Sequence, residues 1–206
     1  LAGQCGSSRF PFPPAEREDL MELMHQKVGR ATFPARTMAE YLQWLGQQPM
    51  TTNLGLYVGH GILRTAVMGY DMRKPTQAEL NTMKDMVREA MEQGALGLSF
   101  GLIYVPGCYT TYEEMVEIAK VVAEYDGIVA AHIRNEGDTL VESTEEFIRV
   151  LKASGARGVH SHPKCLGEAN RGKVNTTLKM LDDARAEGME LYADAYPYTA
   201  SHTKFS

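Results

Sequence analysis

The sequence predicts an α/β protein whose strands lie parallel in one sheet. From about residue 53 onward, short apolar runs alternate with amphipathic segments of helical period. The apolar runs are nearly continuous, which is typical of strands buried on both faces of a parallel sheet. Successive runs lie roughly 30 residues apart, the length of one strand–helix–strand unit, and none is joined to the next by a hairpin turn.

Five strands are predicted from these runs, and a sixth ends at residues 1–5. The five cover residues 53–59, 95–101, 128–133, 157–162 and 190–194. Strictly repeated strand–helix units fit either an open doubly wound sheet or a closed barrel. Six strands would complete an open sheet but would leave an eight-stranded barrel two strands short, so both architectures fit the pattern and economy alone favours the open sheet.

The helices between the strands have start and stop signals. Thr76 with Glu79 and Thr111 with Glu114 form capping boxes, and Asp138 is a candidate cap for the third helix. The four helices are predicted to end at glycines, namely Gly94, Gly127, Gly155 and Gly188. The last helix, over about 173–188, is predicted to turn three side chains inward: Leu178, Leu181 and Ala184.

Residues 10–52 depart from this repeat. A proline-rich turn at 10–14 precedes two short helices, one over about 16–28 and one from Thr37, where Glu40 completes a third capping box. More than 40 residues is longer than an ordinary connection between a strand and a helix. We therefore expect a helical excursion over one rim of the sheet, within a single domain of residues 1–206.

Composition excludes several classes of protein. The net charge is −5, and Lys and Arg are scattered along the sequence, so no basic patch that could bind nucleic acid is expected. No uncharged apolar run approaches the roughly 18 residues of a membrane span, so no membrane partner is expected. Three cysteines without a CxxC pair argue against a disulfide framework and favour the cytoplasm. Because the chain does not begin with Met, we expect a piece of a longer chain, whose targeting signal could not be seen.

Polar side chains gather at the carboxyl ends of the predicted strands, where α/β folds place their working residues. His132 and His162 end consecutive strands, so a parallel sheet would present them side by side. Cys5 ends another strand. Zinc prefers such nitrogen and sulfur donors. A strand-end histidine is also commonly hydrogen-bonded, and a cysteine commonly packs in a core, so spacing alone leaves metal binding and a structural role both open.

Other polar residues near these ends are assigned more weakly. His160 precedes His162 by two residues, so both side chains would point to the same side of a strand. We interpret His160 as a packed neighbour one layer deeper in the barrel. His60 could line the site, but a structural hydrogen bond is favoured. The loop that follows His132 carries Arg134, Glu136 and Asp138. These side chains either support the site, or Asp138 caps a helix and the other two are solvated. No role is predicted for His25, His202, Cys108 or Cys165.

Four motifs resemble the N-acyl-D-amino-acid deacylases of the amidohydrolase superfamily. They lie at residues 102–107 (LIYVPG), 131–138 (AHIRNEGD), 161–164 (SHPK) and 194–198 (DAYPY). Residues 4–8 and 59–64 fit the same family, and the motifs follow in order over essentially the whole chain. The resemblance implies a TIM-like (β/α)8 barrel of the metal-dependent amidohydrolase type, present here as an incomplete barrel of about strands 2–7.

The resemblance also assigns roles to residues. Cys5, His132 and His162 match metal ligands for one or two Zn²⁺ ions, with the cysteine in place of the carboxylated lysine common elsewhere in the superfamily. Tyr104 matches a tyrosine of the substrate pocket. Three further residues match groups that hold the substrate's carboxylate: Lys164, Tyr196 and Thr203.

The implied reaction is zinc-dependent hydrolysis of the amide bond of an N-acyl-D-amino acid, a small molecule, to a carboxylate and a free D-amino acid. The family pattern begins with His-x-His on strand one and ends with an aspartate on strand eight, the general base and acid. Neither is present, so no catalytic residue is assigned in this chain. Pro163 and the pair Ser201-His202 depart from the family's usual residues, which puts the fine shape of the substrate pocket in doubt.

Two alternatives accompany this interpretation. A cyclic-amide hydrolase of the hydantoinase or dihydroorotase type shares the barrel, but would hold its metals with a carboxylated lysine instead of Cys5. The chain could also be a non-catalytic truncated fragment. Because six strands leave two unpaired sheet edges, we expect the isolated chain to be poorly soluble or to exchange segments between copies. No oligomeric state is predicted.

Overall fold

The computed structural model describes residues 1–13, 19, 20, 22, 35, 37–198 and 200–203. The helix predicted over about 16–28 falls mostly outside these residues, as does His25. Within the described part, no helix combines the length and the apolar character needed to cross a membrane.

Five parallel strands form one sheet whose spatial order follows the chain. The strands are β1 (Tyr57–Gly59), β2 (Gly97–Gly101), β3 (Ile128–His132), β4 (Arg157–His160) and β5 (Leu191–Ala193). The register pairs Gly101 with His132 and Ala131 with His160, so the carboxyl ends of β2, β3 and β4 meet at one edge. The predicted α/β class with a parallel sheet is therefore confirmed, with each strand shorter than its apolar run.

The predicted sixth strand is wrong in extent. Residues 1–5 contribute a single parallel bridge between Ala2 and Leu56, next to β1. Gly3, Cys5 and Gly6 all have positive φ angles, of 83°, 53° and 72°. These values are incompatible with extended backbone. The chain therefore leaves the sheet after Ala2 and makes a compact turn at the strand ends.

Six helices of eight or more residues are described. They are α1 (Met38–Leu45), α2 (His60–Met68), α3 (Gln77–Glu92), α4 (Tyr112–Glu124), α5 (Leu140–Ser154) and α6 (Lys173–Ala186). Helices α3 to α6 pack side by side in chain order and cover the sheet. Helix α2 was not predicted from the sequence, because Gly59 precedes it directly and provides no side-chain cap. Without a cap, the sequence carries no start signal for this helix.

The capping predictions divide into three outcomes. Both halves of the box form at Thr76 and at Thr37. At Thr111 only one half forms, because the Glu114 side chain turns into the core instead of capping the helix. Asp138 does not cap α5, which begins after Thr139; its carboxylate accepts a hydrogen bond of 3.0 Å from Asn170 Nδ2.

The core lies between the strands and the helices that cover them. Val129, Ala130 and Ala131 of β3 are fully buried. Burial decreases along the sheet toward β5, where Tyr192 is 54% exposed. Leu181 and Ala184 of α6 are buried as predicted, but Leu178 is 43% exposed, contrary to prediction.

Candidate metal centre and substrate pocket

Three elements bring nitrogen and sulfur donors together at the carboxyl edge of the sheet. His132 is the last residue of β3. His162 lies two residues beyond β4 with φ of 39°, and Cys5 lies in the turn after the Ala2 bridge. One donor atom from each of Cys5, His132 and His162 lies within 4.8 Å of the others. The structure thus places the three predicted metal ligands in one cluster.

The donor atoms of this cluster face one another. Cys5 Sγ lies 3.4 Å from His162 Nε2, and the rings of His132 and His162 meet edge to face with their centroids 4.5 Å apart. His132 is 5% exposed, and neither of its ring nitrogens has a hydrogen-bond partner among the described residues. A buried polar group without a partner costs free energy, so the nitrogen that carries the lone pair is available to a ligand such as a metal ion.

The two histidines differ in protonation. Burial lowers the pKa of His132 to about 4, so its imidazole is neutral at pH 7 and available as a ligand. Burial also opposes the charged form of His162, but hydrogen bonds with Cys5 and Glu136 outweigh burial and raise its pKa to about 9. Metal binding at His162 would therefore release a proton.

One carboxylate oxygen connects the histidines with a lysine. Glu136 Oε1 lies 2.5 Å from Lys164 Nζ, 3.2 Å from His162 Nδ1 and 3.6 Å from His132 Nε2. Glu136 is 7% exposed. Although burial acts to raise its pKa, His162 and Lys164 lower it to about 2, so the carboxylate stays ionised. Because Glu136 faces Nδ1 of His162, the opposite nitrogen, Nε2, points to Cys5.

The four residues predicted to bind substrate surround this cluster. The Tyr104 ring packs 5.3 Å from the His132 ring, and its hydroxyl lies 3.0 Å from Thr203 Oγ1. The Tyr196 ring is 6.3 Å from the His162 ring, with Lys164 Nζ 5.6 Å from its centroid. A cavity of about 270 Å³ opens beside His162, Lys164 and Tyr196. Of the predicted ligands and substrate residues, the lining of this cavity includes His162, Lys164 and Tyr196.

His160 does not occupy the predicted position. Its Nε2 lies 3.3 Å from Thr144 Oγ1, and its ring packs 6.2 Å from that of Phe147. Both partners belong to α5, so His160 points into the helix layer and not to the side of His162. The prediction assumed extended backbone through His162, whereas β4 ends at His160 and the backbone turns at His162.

His60 has the structural role that was favoured from the sequence. It is fully buried, and its Nε2 lies 3.0 Å from Glu114 Oε1. Arg64, one turn further along α2, donates to Glu114 Oε2 at 2.6 Å. This buried network was not predicted. The i, i+4 spacing of His60 and Arg64 could have indicated it only if α2 had been recognised.

Arg134 connects the loop that follows β2 with the loop that follows β3, at the rim of the site. Its guanidinium pairs with Glu146 of α5 at 3.0 Å and donates to the carbonyl oxygens of Cys108 and Thr110. The loops that follow β2 and β3 are thereby joined. Asp194 contributes a similar constraint after β5, because its Oδ1 accepts from the backbone N–H of His162 at 2.6 Å.

Comparison with known proteins identifies relatives of the chain. No protein-family model matches it. The D-aminoacylase of Alcaligenes xylosoxydans xylosoxydans is 34% identical over 98% of this chain and 41% of its own length. The crystal structure of N-acyl-D-glutamate deacylase from Bordetella bronchiseptica, complexed with zinc and a phosphonate mimic of the tetrahedral intermediate, is 35% identical with a TM-score of 0.82. It is matched over 96% of this chain and 41% of its own.

A D-aminoacylase crystal structure, described as defining a novel subset of amidohydrolases, is 32% identical over 96% of this chain and 41% of its own, also with a TM-score of 0.82. The five-stranded parallel sheet therefore matches amidohydrolase structures. The chain spans about two fifths of the length of these three relatives, 41% in each case. An incomplete barrel is consistent with that share.

Proposed function

We propose that the chain, which is 34% identical to a D-aminoacylase over 98% of its length, carries the metal-binding part of an N-acyl-D-amino-acid deacylase of the amidohydrolase superfamily. The proposed reaction is hydrolysis of the amide bond of an N-acyl-D-amino acid, which yields a carboxylate and a free D-amino acid. We propose a small-molecule substrate and one or two Zn²⁺ ions as cofactor.

The observation that carries this proposal is the cluster of Cys5, His132 and His162. One thiol and two imidazoles within 4.8 Å of one another form a donor set suited to zinc. The ring nitrogens of His132 support this fit, since both are buried and neither has a hydrogen-bond partner among the described residues.

Zinc, when bound, supplies Lewis acidity that polarises a carbonyl group and lowers the pKa of water. The protein's own residues orient the substrate. The Lys164 ammonium has three N–H donors, of which one contacts Glu136 Oε1 at 2.5 Å, so others remain for the substrate's carboxylate. We propose that Tyr196 and Thr203 hold the same carboxylate.

We propose that Tyr104 donates its hydroxyl to the oxygen of the acyl group. Its ring lies 5.3 Å from that of His132, a proposed metal ligand, which supports a role for its hydroxyl beside the cluster. A fixed donor aimed at developing negative charge stabilises the transition state. Binding the carboxylate at Lys164 and the acyl oxygen at Tyr104 fixes two points of the substrate. A third contact would then select one hand of the α-carbon.

Metal analysis tests the proposed centre. The gene product that carries this sequence is expected to retain zinc after mild purification. The variants C5S, H132A and H162A should each lower the zinc content, whereas H202A, which alters an exposed histidine, should not. A gene product that holds no zinc would contradict the proposal.

The choice of substrate has a separate test. The same gene product should hydrolyse N-acetyl-D-methionine much faster than N-acetyl-L-methionine. Equal rates on both enantiomers, with zinc present, would retain the metal centre and overturn the D-selective assignment.

A further inference from the structure

The backbone at Cys5 has a conformation that its surroundings must maintain. Its φ angle of 53° lies in the left-handed region, which residues with a Cβ adopt rarely and at a cost in free energy. Gly3 and Gly6 on either side also have positive φ. The proposed thiolate ligand therefore projects from a turn that is not intrinsically favoured, and the structure must contain contacts that stabilise it.

Ser99 supplies two of these contacts. Its Oγ accepts a hydrogen bond of 3.0 Å from the backbone N–H of Gly6 and donates to the carbonyl oxygen of Gly3. The two partners bracket Cys5, so a single hydroxyl closes the turn from both sides. Ser99 is fully buried in β2. Solvent water therefore cannot replace either of these two hydrogen bonds.

Two glycines let the turn lie against the sheet. A Cβ on Gly101 would lie 2.0 Å from the carbonyl oxygen of Cys5, and one on Gly59 would lie 2.7 Å from that of Gly6. The turn thus rests on the backbones of β1 and β2, and the Ser99 hydroxyl fastens it there. No charged side chain contributes to this arrangement in the contacts described above.

We infer that Ser99 is a positioning residue, which fixes the turn of residues 3–6 so that the Cys5 thiol faces His132 and His162. This inference rests on the proposed function, because it concerns the presentation of a metal ligand. Ser99 does not touch the cluster itself. Its effect passes through the backbone of Gly3 and Gly6, and it should be visible in the metal-free protein.

The decisive experiment compares S99A with S99T, which keeps the hydroxyl, and with S143A as a matched control. Ser143 is a buried serine in α5, the helix that covers β4. Hydrogen exchange of the Gly6 amide is measured without metal. We expect S99A to exchange about tenfold faster or more, because a local opening is no longer opposed by the lost hydrogen bond. S99T and S143A should match the wild type.

Zinc affinity is then measured by chelator competition on the same gene products. We expect S99A to bind zinc about 10- to 100-fold more weakly, the range found when groups that orient a ligand are removed. The near-ultraviolet thiolate band of the Co²⁺-substituted protein should weaken in S99A and disappear in C5S. If S99A does not fold, S99C is compared with the wild type instead. The thiol of S99C has nearly the volume of the serine hydroxyl but is a weaker hydrogen-bonding group.

Three outcomes decide the matter. Unchanged Gly6 exchange in S99A, or equal effects of S99A and S143A, would overturn the inference. Equal zinc affinities of the wild type and S99A, in a wild type that does bind zinc, would also overturn the inference. A wild-type protein that binds no zinc, but whose Gly6 amide depends on Ser99, would contradict the proposed function and support the role of Ser99 in fixing the turn.

Discussion

Glu136 illustrates how one buried side chain can set the properties of several neighbours. It contacts Lys164 and His162 through the same oxygen, at 2.5 and 3.2 Å. A carboxylate on Nδ1 of a histidine directs the other nitrogen to a metal and raises its basicity. The same charge offsets the cost of burying the Lys164 ammonium. Both the ligand and the proposed carboxylate-binding lysine therefore depend on Glu136.

Replacing Glu136 with glutamine should weaken zinc binding about 10- to 100-fold, because the amide keeps the shape of the side chain but loses its charge. Chelator competition measures this change. E187Q, which alters an exposed carboxylate paired with Lys152, is the control and should leave the affinity unchanged. Equal affinities in E136Q and the wild type would show that Glu136 does not orient the ligands.

The pocket residues permit a prediction that separates binding from chemistry. Lys164→Met should raise KM for an N-acyl-D-amino acid by about 10-fold or more, since a charge-assisted hydrogen bond to a carboxylate contributes roughly 1.5–3 kcal/mol. Lys173→Met, which alters an exposed contact to the carbonyl oxygen of Asp138, is the control. Steady-state kinetics of the gene product measure both. A change in kcat without a change in KM would contradict carboxylate binding at Lys164.

At the scale of elements, α2 and α4 are joined through a buried ionic network. Glu114 of α4 pairs with Arg64 of α2 at 2.6 Å and with His60 at 3.0 Å, and all three side chains are almost fully buried. Removing one partner of such a network leaves an uncompensated charge in the core. The connection also explains why Glu114 is not available to complete the capping box of α4.

Replacing Glu114 with glutamine should therefore lower the free energy of unfolding by about 3 kcal/mol. Urea unfolding of the gene product measures the loss. E113Q, which alters the neighbouring exposed carboxylate, is the matched control and should change stability by less than about 0.5 kcal/mol. A loss in E114Q no larger than that in E113Q would show that the network contributes nothing.

Glu114 also predicts a pH dependence. Burial acts to raise its pKa, but the contacts with His60 and Arg64 lower it below its usual value. A depressed pKa means that the stabilisation is present above the unfolded-state pKa of about 4.3 and is lost as the pH falls through the folded-state pKa. Urea unfolding at pH 7 and pH 3 should show a smaller loss on acidification in E114Q than in the wild type. Equal losses would contradict this account.

At the scale of the whole molecule, one end of the described sheet is open. β5 pairs with β4 alone among the described strands, and its Tyr192 is 54% exposed. Unpaired strand edges favour association between copies. We expect the isolated 206-residue chain to associate or to be poorly soluble. Light scattering after gel filtration measures this, and a monodisperse monomer with cooperative unfolding would contradict it.

The sequence by itself determined the parallel α/β class, most helix starts and stops, and the residues that gather at the strand ends. These features are local or periodic. A buried parallel strand requires a continuous apolar run, and a capping box requires a hydroxyl and a carboxylate three residues apart. The motifs at residues 131–138 and 161–164 predicted His132 and His162 at the strand ends for the same reason, because His132 ends its strand and His162 lies two residues beyond its own.

Only the tertiary structure decided how these residues meet. The turn at Cys5, the reversal of His160 into the helix layer and the inward rotation of Glu114 each depend on contacts between residues far apart in the sequence. Ser99 lies 93 residues from Gly6, and Glu114 lies 50 residues from Arg64. No periodicity encodes such pairs, because the packing of the sheet alone sets the distance between them. Backbone that departs from regular geometry therefore escaped prediction at the very edge where the site is formed.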